Sequence, residues 1–162
     1  MAVEPPILDE LHRLRTRVPQ LTGALAAGVD GLVIAHDTPG VEPEGLAALT
    51  AAALGVAVRM ADVTGQGDLR ELLVRGVDGY VATYAAGRTA VLTLLAEDRV
   101  NVGRLHLEGR RTGARIGELV GDAVRDTVPE PPAKPAPARQ KAVRTPRTPR
   151  PPRTNTPTNT ES

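Results

Sequence analysis

The sequence predicts an α/β (α+β) domain with a five-stranded, mainly antiparallel sheet and helices on both faces, in the order α-β-β-α-β-β-β-α. The tetrapeptide Gly-Val-Asp-Gly occurs at residues 28–31 and again at 76–79, and Asp-Gly between apolar runs is a strong hairpin signal. Residues 89–96 are apolar at both alternating sets of positions, as in a central strand covered on both faces. Stretches of helical periodicity lie before, between and after these strands.

The first helix is predicted over residues 7–18. The prolines at positions 5 and 6 suit the first turn of a helix, and Pro19 ends it. The apolar residues of this segment recur with the helical period and form one face: Ile7, Leu11, Leu14 and Val18. The helix is therefore expected to be amphipathic.

Five strands are predicted. The first Gly-Val-Asp-Gly turn joins strands 21–27 and 32–36, the second joins strands 69–75 and 80–85, and the fifth strand covers residues 89–96. Because the two turns share the same four residues, we expect the two hairpins to be built alike.

The second helix, predicted over residues 43–63, is apolar on opposite sides, which is typical of a helix buried on two sides. One side can cover the chain's own sheet, and a second copy of the chain is the simplest partner for the other. Small residues spaced by four allow another backbone to approach closely. We predict a homodimer whose interface includes residues of this helix and of the third strand: Ala47, Ala51, Gly55, Leu72 and Val74.

The last helix is predicted over residues 101–125. Glycine recurs at every fourth position from Gly109 to Gly121, although each glycine costs about 1 kcal/mol relative to alanine in a helix interior. We expect close packing of these glycines on the sheet, and a break near Gly109 is the alternative.

The charge distribution divides the chain. Residues 1–128 hold 13 arginines and 17 acidic residues, whereas residues 129–162 hold 7 basic residues, 2 acidic residues and 10 of the 15 prolines. We therefore predict a folded domain over residues 1–128, followed by a disordered basic tail rich in proline, arginine and threonine over residues 129–162.

The amino-acid composition excludes several kinds of catalytic and nucleotide-binding site. The chain has no cysteine, its only serine is Ser162, and its two lysines, Lys134 and Lys141, lie in the predicted tail. A thiolate or serine nucleophile, a P-loop lysine and a Schiff-base lysine are therefore missing from the domain. We predict no catalytic residue, no cofactor and no metal ligand.

The chain shows no signal for export or membrane insertion. The N-terminus has an early acid and two prolines instead of a basic and then apolar signal region. The longest weakly polar run, residues 45–58, is shorter than the ~20 residues of a membrane span. We expect a cytoplasmic protein that does not span a membrane.

Two sets of polar residues in the domain are candidate sites. His36 and Asp37, at a strand end, are a candidate pair for a small hydrolase acting through a bound water, although structural or solvent-exposed roles are expected for all three histidines. On the last helix, Arg104, Arg111 and Arg115 share one face and form a candidate partner contact.

The tail adds two candidate roles. Three threonines precede proline and are candidate phosphorylation sites: Thr145, Thr148 and Thr156. The spaced basic residues can also make weak contacts with anionic surfaces, so that a nucleic-acid or membrane tether is an alternative function, without specific recognition of nucleic acid.

The order of elements resembles the roadblock/dynein light-chain family, and several segments support the resemblance. Residues 29–37 look like that family's first hairpin, 44–50 like the opening of its second helix, and 101–104 like the start of its closing helix. The second hairpin is matched by 72–76 together with 79–84.

The resemblance covers about residues 7–126. It implies a homodimer formed through the second helix and third strand, with a Ras-like small GTPase as partner, as for bacterial members of the family. The family has no active-site motif to transfer, so the resemblance implies a non-enzymatic regulator or scaffold. The small hydrolase and the tail-driven tether remain the alternatives.

Overall fold

The computed structural model of the protein describes residues 4–127, and the side chains of residues 4–123. The predicted tail, with Thr145, Thr148 and Thr156, lies outside the described residues. The elements occur in the predicted order: α1 (Glu4–Arg17), β1 (Leu21–Gly28), β2 (Val33–Asp37), α2 (Pro43–Thr64), β3 (Glu71–Arg75), β4 (Gly79–Ala86), β5 (Ala90–Glu97) and α3 (Val102–Thr127). The predicted fold class is thus confirmed.

The five strands form one sheet in the order β2-β1-β5-β4-β3, and every neighbouring pair is antiparallel. The central position predicted for residues 89–96 is confirmed, because β5 pairs with β1 on one side and with β4 on the other. The edges of the sheet are β2 and β3. The candidate site described below lies on helix α2 and on the edge strand β3.

The two Gly-Val-Asp-Gly turns differ, contrary to the prediction that they are built alike. Gly31 in the first copy has a φ of 84°, a conformation that favours glycine. Gly79 in the second copy is instead the first residue of β4, and a Cβ there would collide with the carbonyl group of Ala96 on β5. The first copy needs glycine for its turn, whereas the second needs it for a close approach of strands.

α1 and α3 cover one face of the sheet, which we call the α1/α3 face. The predicted stripe of α1 is confirmed, since Ile7, Leu11 and Leu14 are fully buried. α3 is continuous through Gly109, so the predicted alternative of a break there is wrong. A Cβ on Gly109 would lie 2.6 Å from Cζ of the buried Tyr84, which confirms close packing on the sheet at this position.

α2 lies on the opposite face, which we call the α2 face. The carboxylate of Glu42 accepts hydrogen bonds from the first free N–H groups of the helix, and Gly65 ends it with a φ of 68°. Only Ala47 and Thr50 of its 22 residues are buried. The hydroxyl of Thr50 lies 3.4 Å from that of Thr93 in β5, so the helix meets the sheet near its own N-terminal half.

Candidate functional site

The outer side of α2 is an apolar stripe that nothing in the described chain covers. Its members recur at helical spacing and expose more than half of their surface: Leu49 (71%), Val56 (62%), Met60 (61%) and Val63 (66%). We call these four residues the outer stripe. Soluble proteins seldom expose large apolar side chains in a contiguous row unless another surface covers them.

Strand β3 shares a groove with α2 and extends this surface. It pairs only with β4 among the described residues, so the N–H and C=O groups along its other side are open for pairing. Leu72 and Val74 face α2, and with Leu49 and Ala53 they line a groove of about 200 Å³. The outer stripe and β3 therefore combine an apolar surface with an open backbone edge.

By length and composition, α2 is also the one helix of residues 4–127 that is long and apolar enough to cross a membrane. Its inner side nevertheless packs on the sheet of a folded domain through Ala47 and Thr50. Length and composition alone do not distinguish a spanning helix from one that docks on protein, and the absence of a membrane span stays a prediction.

The small-residue stripe of α2 lies only partly against the protomer's own sheet, because Ala47 is buried whereas Gly55 is exposed, and its role in a dimer interface stays a prediction. Ala47 is 1% exposed and packs against Leu25 and Val91, so that it has no surface to offer to a second copy. The backbone that approaches closely belongs to the turn at Gly31, where a Cβ would lie 3.4 Å from that of Ala51. At Ala51 the chain's own β1–β2 turn therefore approaches the stripe closely, while the approach of a second copy stays a prediction.

His36 and Asp37 do not form a catalytic pair, which removes the residues of the hydrolase alternative. Consecutive strand residues point to opposite faces of a sheet. Asp37 lies on the α1/α3 face, where its Oδ2 is 2.6 Å from Nη1 of Arg15 and 3.9 Å from Nε2 of His12. His36 is exposed, with Nδ1 3.4 Å from the hydroxyl of Thr38. The described residues contain no group of three or more potential metal ligands.

The three arginines predicted as a partner contact all lie exposed on α3. Arg115 is held by Glu118 at 2.9 Å, and Arg111 lies 3.6 Å from Glu108. Arg104 has an exposed side chain, and its backbone N–H is capped by Asn101. Leu107, 52% exposed, lies between them on the helix, so that this face offers positive charge around one apolar side chain. Its contact with a partner stays a prediction.

A cluster that the sequence analysis missed ties β3 to α3. Glu71, the first residue of β3, receives two hydrogen bonds of 2.8 Å from Arg110, which hold the pKa of its carboxyl below the ordinary value. Nδ1 of His106 lies 3.6 Å from the same carboxylate and 3.0 Å from the hydroxyl of Tyr84. Burial raises the pKa of Tyr84 above its ordinary range. The cluster anchors one end of the open edge strand.

Comparisons with known proteins agree with this architecture. Residues 7–96 match the Roadblock/LC7 domain model. Two uncharacterized proteins of Methanocaldococcus jannaschii, MJ1340 and MJ0310, are each 34% identical over 111 residues, which cover 68% of this chain and 96% of each relative.

Solved structures show the same fold. A structure described as MglB with tetrameric arrangement superposes with a TM-score of 0.71 at 22% identity, covering 76% of this chain and 93% of that one. A Roadblock/LC7 domain from Streptomyces avermitilis gives a TM-score of 0.62 at 24% identity, with coverages of 73% and 97%. Together with the order of the elements and the match over residues 7–96, these likenesses show that the chain belongs to the Roadblock/LC7 family.

Proposed function

We propose that the protein is a cytoplasmic, non-enzymatic homodimer that regulates or scaffolds a Ras-like small GTPase. The observation that carries this proposal is the pairing of the exposed outer stripe with the open edge of β3, in a chain of the Roadblock/LC7 family. The resemblance to that family implies both the mode of dimerisation and the class of partner.

The geometry of the α2 face supports the proposed dimer. In a two-fold dimer the same patch contacts itself, so β3 pairs with the β3 of a second copy and joins the two sheets at their open edges. The outer stripe then meets the outer stripe of the second copy. Leu72 and Val74, which face α2, lie at the centre of this interface. Of the other residues predicted for the interface, Ala51 lies next to the turn at Gly31 and Gly55 is exposed, and we propose that the contact is centred on the outer stripe.

The domain is suited to act on a nucleotide-binding protein without binding nucleotide itself. Both lysines, Lys134 and Lys141, follow residue 128, and no P-loop motif occurs in the sequence. Any change in nucleotide turnover must therefore come from the partner, whose switch loops the dimer biases if it binds their two states unequally. The α3 face around Arg104, Leu107 and Arg111 lies outside the proposed dimer interface and is the candidate contact.

Sedimentation of the full chain tests the dimer. The wild type is expected to sediment as a dimer at micromolar concentration, and Val56→Glu as a monomer, because a carboxylate buried between two apolar stripes has no counter-charge. Leu107→Glu is the matched control, since it changes an apolar residue of similar exposure on α3. A monomeric wild type, or a dimer that tolerates Val56→Glu, contradicts the proposed interface.

Two binding measurements test the partner. Calorimetry with GTP and Mg²⁺ is expected to show no heat of binding to the isolated protein. Pull-downs with the wild-type dimer are expected to recover a small GTPase whose retention differs between a GTP analogue and GDP. Micromolar GTP binding by the chain alone contradicts the prediction that it binds no nucleotide itself, and equal retention in both nucleotide states reduces the role to scaffolding.

A further inference from the structure

The C-terminal half of α2 stands away from the sheet and leaves a trench beneath it. Val58 lies on the same side of the helix as Ala47 and Leu54, yet it is 45% exposed while Ala47 is buried. Ala85, near the end of the inner strand β4, is exposed on the α2 face for the same reason. The trench has a volume of about 390 Å³, which lies within the usual range of small-molecule sites.

The walls of this trench are apolar. Leu54, Gly55 and Val58 of α2 form one wall, and Ala85 and Val91 of the sheet form the other. The hydroxyl of Thr83, which also lines the trench, lies 3.1 Å from the hydroxyl of Thr93 and is thus already engaged. An apolar chain therefore fits the interior better than a polar molecule does.

Two arginines, Arg70 and Arg88, line the trench. No ion pair within 4 Å joins either guanidinium to a carboxylate of the described side chains, although the charge of Arg70 helps to lower the pKa of the Glu71 carboxyl. Glu71 also borders the trench, but its carboxylate is held by Arg110 on the α1/α3 face. Two exposed guanidinium groups beside an apolar slot complement an anionic head attached to an apolar tail.

We propose that the trench binds an amphipathic anion, an alkyl chain with a carboxylate or phosphate head, such as a fatty acid. The chain lies beneath α2 between Val58 and Ala85, and the head group contacts Arg70 and Arg88. Burial of the methylene groups supplies most of the affinity, and the two arginines select the charge. The outer stripe points away from the trench, so the ligand and the second copy occupy different sides of α2.

Calorimetry of the full chain with four probes below their micellar concentrations tests this site. Laurate is expected to bind, acetate is expected not to bind, and dodecanol is expected to bind at least about tenfold more weakly than laurate because it lacks the charge. Dodecyl phosphate compared with laurate distinguishes a phosphate from a carboxylate head. Absence of laurate and dodecyl phosphate binding, or equal affinity for laurate and dodecanol, overturns the proposal.

Variants locate the site. Gly55→Leu is expected to abolish laurate binding by filling the trench, whereas Gly121→Leu, the same change at a helical glycine with equally open surroundings, leaves it intact. Arg88→Ala is expected to weaken binding about tenfold, and Arg104→Ala on α3 to have no effect. Unchanged laurate binding by Gly55→Leu overturns the assignment of the trench.

Sedimentation of the same samples separates this inference from the proposed dimer. A wild-type dimer that binds neither anionic probe overturns the trench alone, and a monomeric wild type that binds laurate overturns the dimer alone. If Gly55→Leu dissociates a dimer that binds no probe, the trench is occupied by the second copy and the ligand proposal is wrong.

Discussion

Replacing Gly109 by alanine tests the packing of α3 on the sheet most directly. A Cβ at this position would lie 2.6 Å from Cζ and 2.7 Å from Cδ2 of Tyr84, whereas carbon atoms in contact prefer ~3.5–4.0 Å. The ring must therefore move by about 1 Å. Tyr84 is 1% exposed and its hydroxyl contacts His106 at 3.0 Å, so a displacement also disturbs the cluster that anchors β3.

Two opposing terms set the magnitude. Overpacking of a core costs about 1–3 kcal/mol, while alanine gains about 1 kcal/mol over glycine in a helix interior. These terms combine to a net loss of about 0–2 kcal/mol, and because the Cβ would lie under 3 Å from a fully buried ring we expect Gly109→Ala to fall in the upper half, at about 1–2 kcal/mol. Gly121→Ala, in the same helix with nothing within 4 Å of its Cβ, is expected to raise it by about 0.5–1 kcal/mol.

Urea unfolding followed by circular dichroism measures both variants. The opposite signs are the critical result, because helix propensity acts equally at the two positions and only the contact with Tyr84 differs. If both substitutions stabilise the protein by similar amounts, α3 does not approach the ring, and close packing on Tyr84 is not what requires glycine at position 109.

Three further outcomes are expected. Met60→Glu should weaken the proposed dimer at least about 100-fold in sedimentation experiments, with Leu107→Glu as the control. Glu71→Gln should cost about 1 kcal/mol of unfolding free energy at pH 7. Arg110 lowers the folded-state pKa of Glu71, so the loss of unfolding free energy is largest above the unfolded-state pKa of ~4.3. The loss disappears as the pH falls through the folded-state pKa. A difference in stability that does not depend on pH contradicts the ion pair. Thr93→Val should lower the stability by about 1–3 kcal/mol in urea titrations, because it removes the hydroxyl next to two other buried threonine hydroxyls; a neutral effect contradicts that network.

Local patterns predicted the elements well because their causes are local. The period of Ile7, Leu11 and Leu14 and the double-sided apolar run of β5 depend only on which residues alternate or recur, and both were confirmed. The two identical tetrapeptides were misjudged because a turn's geometry also depends on the strands that continue from it. Gly31 lies in a turn and Gly79 in a strand, a difference that four residues do not encode.

The site was predicted only in part, and the missing part is non-local. The distance of 35 positions between Glu71 and His106 gives no periodic signal, because only the sheet order and the placement of α3 bring them together. The partner of the small-residue stripe of α2 could not be predicted for another reason. A row of alanine and glycine permits close approach of any backbone, and the sequence does not say whether the turn at Gly31 or a second copy makes that approach.

The two sides of α2 differ in the size of their side chains. The side with Ala47 and Thr50 must lie close to the sheet and to the β1–β2 turn, where longer side chains would push the helix away. Leu49, Val56 and Met60 on the outer side have no such constraint, yet they are large and apolar instead of charged. In a permanent monomer their exposure would contribute nothing to folding and would promote non-specific association. Their burial against a second copy would be worth about 1.5–3 kcal/mol for each fully covered side chain, which is why we propose the outer side of α2 for the dimer contact.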